Sequence, residues 1–263
     1  MRTRTPSAVV IIPAYNAAQT IHRTLASALA SAVAAVRYCT ETQGLAAEID
    51  IVVVNDCSTD RTVEVVADWV MRGQVRLLSN AINKSAGASR NEGVRQTTGS
   101  FLFFLDADDI FYPNHIHACL SPLLADDSLG YVFTRLKLDM PIHHDWRMSM
   151  DESCPINFYL RRVWHDMIGG FPEEPDFRTY GTEDTLYRMC LRRLVQHKKL
   201  DVETCEQFVS PGNALDRQRA KLSMSVADWK QSGVDDRFVL TAQMEAVATA
   251  RLEHIAKLRG GGG

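Results

Sequence analysis

Hydrophobic and polar positions alternate in two distinct periods along the first half of the chain. Short apolar runs at 9–12, 49–55 and 101–105, with a weaker one at 74–79, have the length and composition of strands. The run FLFFL at 101–105 is uninterrupted, as expected of a strand buried on both faces. Between the runs, residues 17–36 place Ile21, Leu25, Leu29, Val33 and Val36 at helical spacing, with Asn16 as the expected cap and Gln19 as its reciprocal partner. A polar turn at 56–60 precedes a second helix carrying Val63, Val66, Ala67 and Val70, and Ser58, Thr59 and Asp60 read as its cap. A third helix at 84–97 is rich in small residues and contains Gly87 and Gly93. A glycine inside a helix costs about 1 kcal/mol against alanine, so the pair points to close packing or ligand approach.

Strands alternating with helices predict a parallel sheet covered on both faces, and such sheets bind ligands beyond the carboxyl ends of their strands. Past Asp109 the pattern is less regular and punctuated by prolines. It predicts a strand at 131–138, a helix at 156–168 that stops at Gly169-Gly170, and a helix at 181–195. In that helix Thr182 is the expected cap, and Leu186, Met189, Cys190, Arg193 and Leu194 are spaced for packing. A last amphipathic helix is expected over 238–257, followed by a flexible glycine tail at 260–263. No repeat or low-complexity linker divides the chain, so the second half is expected to pack on the first as one globular unit.

Composition narrows the classes. At 263 residues, 46% hydrophobic and 23% charged, the chain can bury a sizeable core. A net charge of −3 and a pI near 6.2 argue against a general nucleic-acid binder. Six cysteines without a CxxC spacing are neither a zinc framework nor a disulfide scaffold, and read as reduced core thiols of a cytoplasmic protein. No apolar run reaches the ~20 residues of a membrane span. No transmembrane segment is therefore expected, although peripheral membrane contact stays open.

The candidate chemistry begins where FLFFL meets Asp106, Ala107, Asp108 and Asp109. Side chains alternate along an extended chain, so Asp106 and Asp108 can point the same way. Two such carboxylates suit a hard divalent cation, Mg²⁺ or Mn²⁺, bound together with a phosphate. The alternative is an Asp-rich loop that caps the next turn, the role expected of Asp109. The stretches Pro13-Ala14-Tyr15, Asp56 and Asp106-Asp108 all follow predicted strands and should converge on one cleft. His143 and His144, taken as adjacent strand residues, would face opposite sides and make poor joint ligands.

Six segments, VVIIPAYNAAQTI, DIVVVNDCSTDRT, SAGASRNEGV, FLFFLDADD, IGGFPEE and YGTEDTLYRMCLR, resemble in order and separation the family 2 glycosyltransferases with the GT-A fold. The resemblance implies an α/β GT-A fold, with a Rossmann-like, mostly parallel central sheet, helices on both faces and a smaller acceptor-side region. Residues 1–110 would form the nucleotide-sugar half and 111–259 the acceptor and catalytic-base half. It implies that Pro13, Ala14 and Tyr15 touch the nucleotide base, that Asp56 accepts from the base ring N–H, and that Arg90 lies beside base and diphosphate. Asp106 and Ala107 would face the nucleotide, Asp106 being shared with the metal, and Asp108 would bind the cation, Mn²⁺ or Mg²⁺. Asp184 would be the general base, with Glu183 beside it on the acceptor side.

The implied activity is a metal-dependent, inverting hexosyl transfer. The donor would be a nucleotide-sugar, expected to be a UDP-sugar, and the acceptor a hydroxyl on a glycan, a lipid-linked molecule or a small molecule. Arg90 otherwise reads as a solvated helix charge paired to Glu92 or Asp109, and Glu183-Asp184 as a pair that merely stabilises a helix N-terminus. Cys57 and Ser85 stand where the family often has glycine, and no histidine after Asp184 matches a third metal ligand except His197, which reads as a surface residue. Two alternatives remain: a haloacid-dehalogenase-like phosphatase, whose nucleophile loop also follows an apolar strand, and a catalytically inactive nucleotide-sugar-binding protein.

Overall fold

The computed structural model describes residues 5–180, 182–233 and 241–260. Its elements are, in chain order, β1 (Ser7–Ala14), α1 (Ile21–Gln43), β2 (Glu48–Asn55), α2 (Thr62–Met71), β3 (Arg76–Ser79), α3 (Ala86–Arg95), β4 (Phe101–Phe104) and β5 (Ile110–Phe111). There follow α4 (His115–Ala125), β6 (Leu129–Leu138), a 3-10 turn (His144–Trp146), α5 (Arg147–Ser153), β7 (Phe158–Arg161), α6 (Arg162–Ile168), α7 (Pro175–Tyr180) and α8 (Glu183–Leu194). The chain ends with β8 (Gln196–Gln207), α9 (Ala214–Arg217), α10 (Arg219–Leu222), α11 (Val226–Ser232) and α12 (Ala242–Gly260).

Among the described residues the strands form one sheet in the order β3-β2-β1-β4-β7-β6-β8-β5. The expected parallel layer is present: β3, β2, β1 and β4 all run the same way. Alternation along β1 and β4 splits the core. Val10, Ile12, Phe101 and Phe103 join α1 and α4 on one face, whereas Val9, Ile11, Leu102 and Phe104 meet Val94 of α3 and Leu186 of α8 on the other. Each such fully buried side chain contributes about 1.5–3 kcal/mol.

Several expectations are corrected. Residues 156–168 are not one helix: a 3-10 turn (Pro155–Asn157) leads into β7, which lies between β4 and β6, antiparallel to both, and α6 follows. Phe158, Tyr159 and Leu160 are wholly buried there, and successive residues of a strand between two neighbours meet protein on both faces, which a helix at an edge would not require. Helix α1 does not bury Val33 and Val36, which are 60% and 36% exposed; its buried stripe is Ile21, Leu25, Ala28, Ala32, Ala35 and Cys39. The buried face of α1 is lined mainly by alanines rather than by the larger Val33 and Val36. Asn16 does not cap α1. It has φ 50°, Thr20 stands at the cap position, and the Asn16 side-chain oxygen accepts from the Thr59 N–H at 2.8 Å.

Gly87 and Gly93 in α3 are close-packing positions, as expected. A Cβ on Gly93 would lie 2.5 Å from Ile11 Cγ2, and one on Gly87 would lie 2.9 Å from Glu183 Cγ. The cysteines are free, and all except the half-buried Cys57 are buried. The start of the expected last helix and the tail beyond residue 260 lie outside the described residues.

Candidate active site

Three loops at the carboxyl ends of β1, β2 and β4, which neighbour one another in the sheet, build the site. The first two are stitched together. Asn16 N–H donates to Ser58 Oγ at 3.0 Å, Ala17 N–H to Thr62 Oγ1 at 2.8 Å, and Ala18 N–H to Asp60 Oδ2 at 3.0 Å. Ser58, Thr59 and Asp60 do not stand at the cap of α2, which is Arg61; Ser58 and Thr59 bond to Asn16, and Asp60 bridges Ala18 to the Thr62 N–H. Pro13 and Ala14 are buried in β1, while Tyr15 stands 53% exposed at the mouth.

Asp56 is buried and its carboxylate accepts three hydrogen bonds. It accepts from Asn80 Nδ2, the Lys84 N–H and the Ser85 N–H, each at 2.8 Å. These bonds tie the end of β2 to the loop that opens α3. Cys57 at φ 63° and Ser85 at φ 92° flank this arrangement in the left-handed region that favours glycine. Both substitutions for glycine are thus accommodated with backbone strain.

Arg90 is not a solvated helix charge. It is buried on α3, forms an ion pair with Asp106, lies 3.6 Å from Glu183 and stacks 5.2 Å above the Phe171 ring. Neither expected partner holds it: Glu92 pairs with Arg95, and Asp109 accepts from the Phe208 N–H. Glu183 opens α8 and turns toward α3 and Arg90, into the space that Gly87 leaves. Burial and the neighbouring Asp184 charge push the Glu183 carboxyl up to about 7, against the pull of Arg90. Asp184 accepts from the Thr185 N–H at 2.7 Å, and burial raises its carboxyl as well, with Arg90 again opposing. Thr182 stands at the cap position of α8 at φ 78° without a side-chain cap bond.

In the third loop, the Ala107 carbonyl accepts from Thr20 Oγ1 at 2.8 Å and Thr24 Oγ1 at 3.0 Å, which fixes the backbone between the two aspartates. Asp108 Oδ2 accepts from Asn213 Nδ2 at 3.0 Å. Asp109 is buried, accepts from the Phe208 N–H at 2.9 Å, and has no partner at Oδ2. Its carboxylate anchors the end of β8 rather than capping the next turn. Burial, then the charge of Asp106, pushes Asp108 up; burial and both neighbouring aspartates hold Asp109 well above the usual carboxylate range.

The carboxylates of Asp106 and Asp108, two residues apart in one loop, supply hard oxygen donors of the kind that fits a divalent cation. Asn213 and Arg23, whose guanidinium donates to the Asp108 carbonyl at 2.7 Å, were not found from sequence. Neither carries a local signal: Asn213 only marks a turn before α9, which it caps by accepting from the Asp216 N–H at 3.0 Å. His197 is half-buried on β8, stacked on Tyr131 at 4.8 Å. His143 and His144 are corrected: a 3-10 turn, not a strand, sets them side by side, with Asp145 3.5 and 3.1 Å away. Among the described residues no helix is long and apolar enough to cross a membrane.

This arrangement, a half-parallel sheet whose strand ends gather a carboxylate pair, a buried arginine and a second acidic pair, defines an α/β protein with a polar site at the carboxyl ends of its inner strands. The family description "Glycosyl transferase family 2" matches residues 9–195. The chain belongs to this family. Chondroitin synthase of Pasteurella multocida strain Pm70 is 27% identical over 82% of this chain and 24% of its own length, and hyaluronan synthase of Pasteurella multocida matches to the same extent. The chain thus spans about a quarter of the length of these curated relatives.

Among solved structures, S. aureus TarS 1-349 in complex with UDP-GlcNAc has a TM-score of 0.63 at 17% identity, covering 95% of this chain and 81% of that one. The mannosyltransferase PcManGT from Pyrobaculum calidifontis, in complex with GDP-Man and Mn2+, has a TM-score of 0.61 at 18% identity, covering 99% and 77%. The fold is of the GT-A type. With the family established, the apolar strand leading into two aspartates no longer calls for a phosphatase.

Proposed function

We propose that this chain is a metal-dependent, inverting glycosyltransferase that moves a sugar from a nucleotide-sugar, a UDP-sugar, to a hydroxyl of a glycan, lipid-linked or small-molecule acceptor. The observation that carries the reading is the Arg90 bridge, which draws Asp106 from β4 and Glu183 from the start of α8 together, and so brings Asp184 beside the strand ends. Pro13, Ala14, Tyr15 and Asp56 would line the base; Arg90, Asp106 and Ala107 would lie along the ribose and diphosphate. Asp108 and Asp106 would hold Mn²⁺ or Mg²⁺, as supported by the Mn2+ in the PcManGT complex. The cation would stabilise charge gathering on the leaving diphosphate by several kcal/mol.

Asp184 takes the acceptor hydroxyl proton as the new bond forms at the anomeric carbon, while the bond to the diphosphate breaks with its electron pair on the nucleotide. Attack opposite the leaving group inverts the anomeric centre. Burial raises Asp184, which makes its carboxylate a stronger base than an exposed aspartate, and a positioned base is worth about 10²–10⁴-fold.

The test is turnover of UDP-GlcNAc, UDP-glucose, UDP-glucuronate and GDP-mannose with Mn²⁺, by wild type and by Asp184→Asn. The expected result is donor-selective turnover that Asp184→Asn lowers at least about 10²-fold while cation-dependent nucleotide binding persists. Unchanged turnover in Asp184→Asn would refute the base assignment. Nucleotide binding without turnover on any acceptor would instead establish an inactive binding protein.

A further inference from the structure

One buried cation of the chain is not used by the reaction described above. Arg188 lies one turn beyond Asp184 on α8 and is only 5% exposed. Among the described residues no carboxylate forms an ion pair with it; its partners are the Cys154 carbonyl, at a long 3.4 Å, and the Tyr131 hydroxyl. The rings of Phe158, Phe133 and Tyr131 lie 4.4, 5.1 and 5.4 Å from its guanidinium carbon. Such stacking satisfies the flat faces of a guanidinium and leaves its in-plane N–H donors to find acceptors. A guanidinium has five such donors, more than the Cys154 carbonyl and the Tyr131 hydroxyl use.

Arg188 lines a cavity of about 180 Å³ together with Thr185, Ser153, Arg192, Glu152 and His197. Arg192 is already spent, since it pairs with Glu152 at 2.7 Å. The charge left for an occupant is therefore that of Arg188, with the Ser153 hydroxyl beside it, the Thr185 hydroxyl being turned to Asp184. Such a volume is below that of a pocket for a whole drug-sized ligand and suits a single charged group on a larger molecule. Thr185 follows Asp184 directly, so the occupant would belong to whatever is bound at the proposed base.

We propose that this cavity is an acceptor subsite for an anionic group, a carboxylate or a phosphate, held by Arg188 in a charge-assisted, bidentate contact. The proposal deepens the transferase reading, because it makes the acceptor an acidic glycan or a phosphate-bearing molecule, and it rests on Asp184 marking the acceptor side. A carboxylate or phosphate oxygen pair matches the guanidinium fork, and the aromatic rings around Arg188 hold the fork in place.

The test first measures UDP binding with Mn²⁺, and then, at saturating UDP, titrates the protein by calorimetry or NMR with methyl glucuronide, methyl phosphate and neutral methyl glucoside. Saturating UDP keeps the anions out of the nucleotide site. The expected result is saturable binding of the glucuronide, the phosphate or both, with the glucoside binding about tenfold or more weakly. Which anion binds tells an acidic sugar from a phosphate. Arg188→Met should weaken anion binding about tenfold or more, and Arg192→Gln, at the exposed rim, should weaken it too by freeing Glu152 to repel the anion. If Arg188→Met fails to fold, the rim variant and the competition between the two anions on wild type decide. Equal binding of the neutral glucoside, no saturable anion binding, or anion binding unchanged in the folded variants overturns the subsite. Failure of UDP to bind would sink the donor reading separately, and the anion titration would then be read without it.

Discussion

Glu183 gives a prediction whose sign and size both follow from its surroundings. Its carboxyl is raised from 4.5 to about 7 by burial and by the Asp184 charge, a preference for the protonated form of about 3 kcal/mol. The side chain is 17% exposed, so solvent screening removes little of this. Between those pH values the folded protein holds a proton that the unfolded chain has already released. Each rise in pH across that window therefore costs the folded state, and the loss is complete above about 7. Glu183→Gln keeps the volume against Gly87 and removes the titration. In denaturant unfolding with chelator present, the stability of Glu183→Gln relative to wild type should grow by about 3 kcal/mol from pH 4.5 to above 7, roughly 6–12 °C in Tm. A difference that stays constant with pH, or that shrinks as pH rises, would refute the placement of Glu183 between Arg90 and Asp184.

Other substitutions test neighbouring steps. Arg90→Met leaves Asp106 and Glu183 facing each other without their cation, and should cost about 3–5 kcal/mol in urea unfolding at pH 8, less at pH 5 where the carboxyls can protonate. Gly93→Ala adds a Cβ 2.5 Å from Ile11 Cγ2 and 3.2 Å from Val54 Cγ2, so overpacking should outweigh the better helix propensity and lower stability by about 1–2 kcal/mol; an increase in Tm would show that α3 can move off the sheet.

What was legible in the sequence depended on range. The parallel layer β3-β2-β1-β4 could be read because each strand is a local apolar run and each connection a local helix pattern. The FLFFL run and its aspartates were visible for the same reason. Strand β7 was not, since the pattern at 156–168 fits a helix and only the neighbours β4 and β6 select the extended form of Phe158–Arg161. The partners of the site residues were the least legible. Asn213 reaches Asp108 across 105 positions and Arg23 reaches its carbonyl across 85, and neither residue type announces a partner at such a distance. The burial of Arg90 likewise depended on Gly87 and Phe171, which come together only through the packing of α3 against the segment before α8.

Asp56 shows how this packing constrains the proposed base site. Its two oxygens accept three hydrogen bonds, two of them from the backbone of the loop at 80–85. A carboxylate offers about four lone-pair sites, so a base N–H would be an additional donor rather than a replacement. Asp56 would then act twice, once on the nucleotide and once by holding Ser85 in its strained conformation at the start of α3, the helix that carries Arg90. Asp56→Asn separates the two roles poorly in activity but well in binding and stability. An amide has one acceptor oxygen, and its NH₂ would face a backbone N–H donor. The variant should lose about 1–3 kcal/mol of stability without nucleotide, read as a lower Tm, and should also show a smaller Tm rise with UDP and Mn²⁺ than wild type. A variant with wild-type Tm would contradict the anchoring of the 80–85 loop, and one with a lower Tm but an undiminished UDP-dependent rise would remove Asp56 from the base site while leaving its structural role intact.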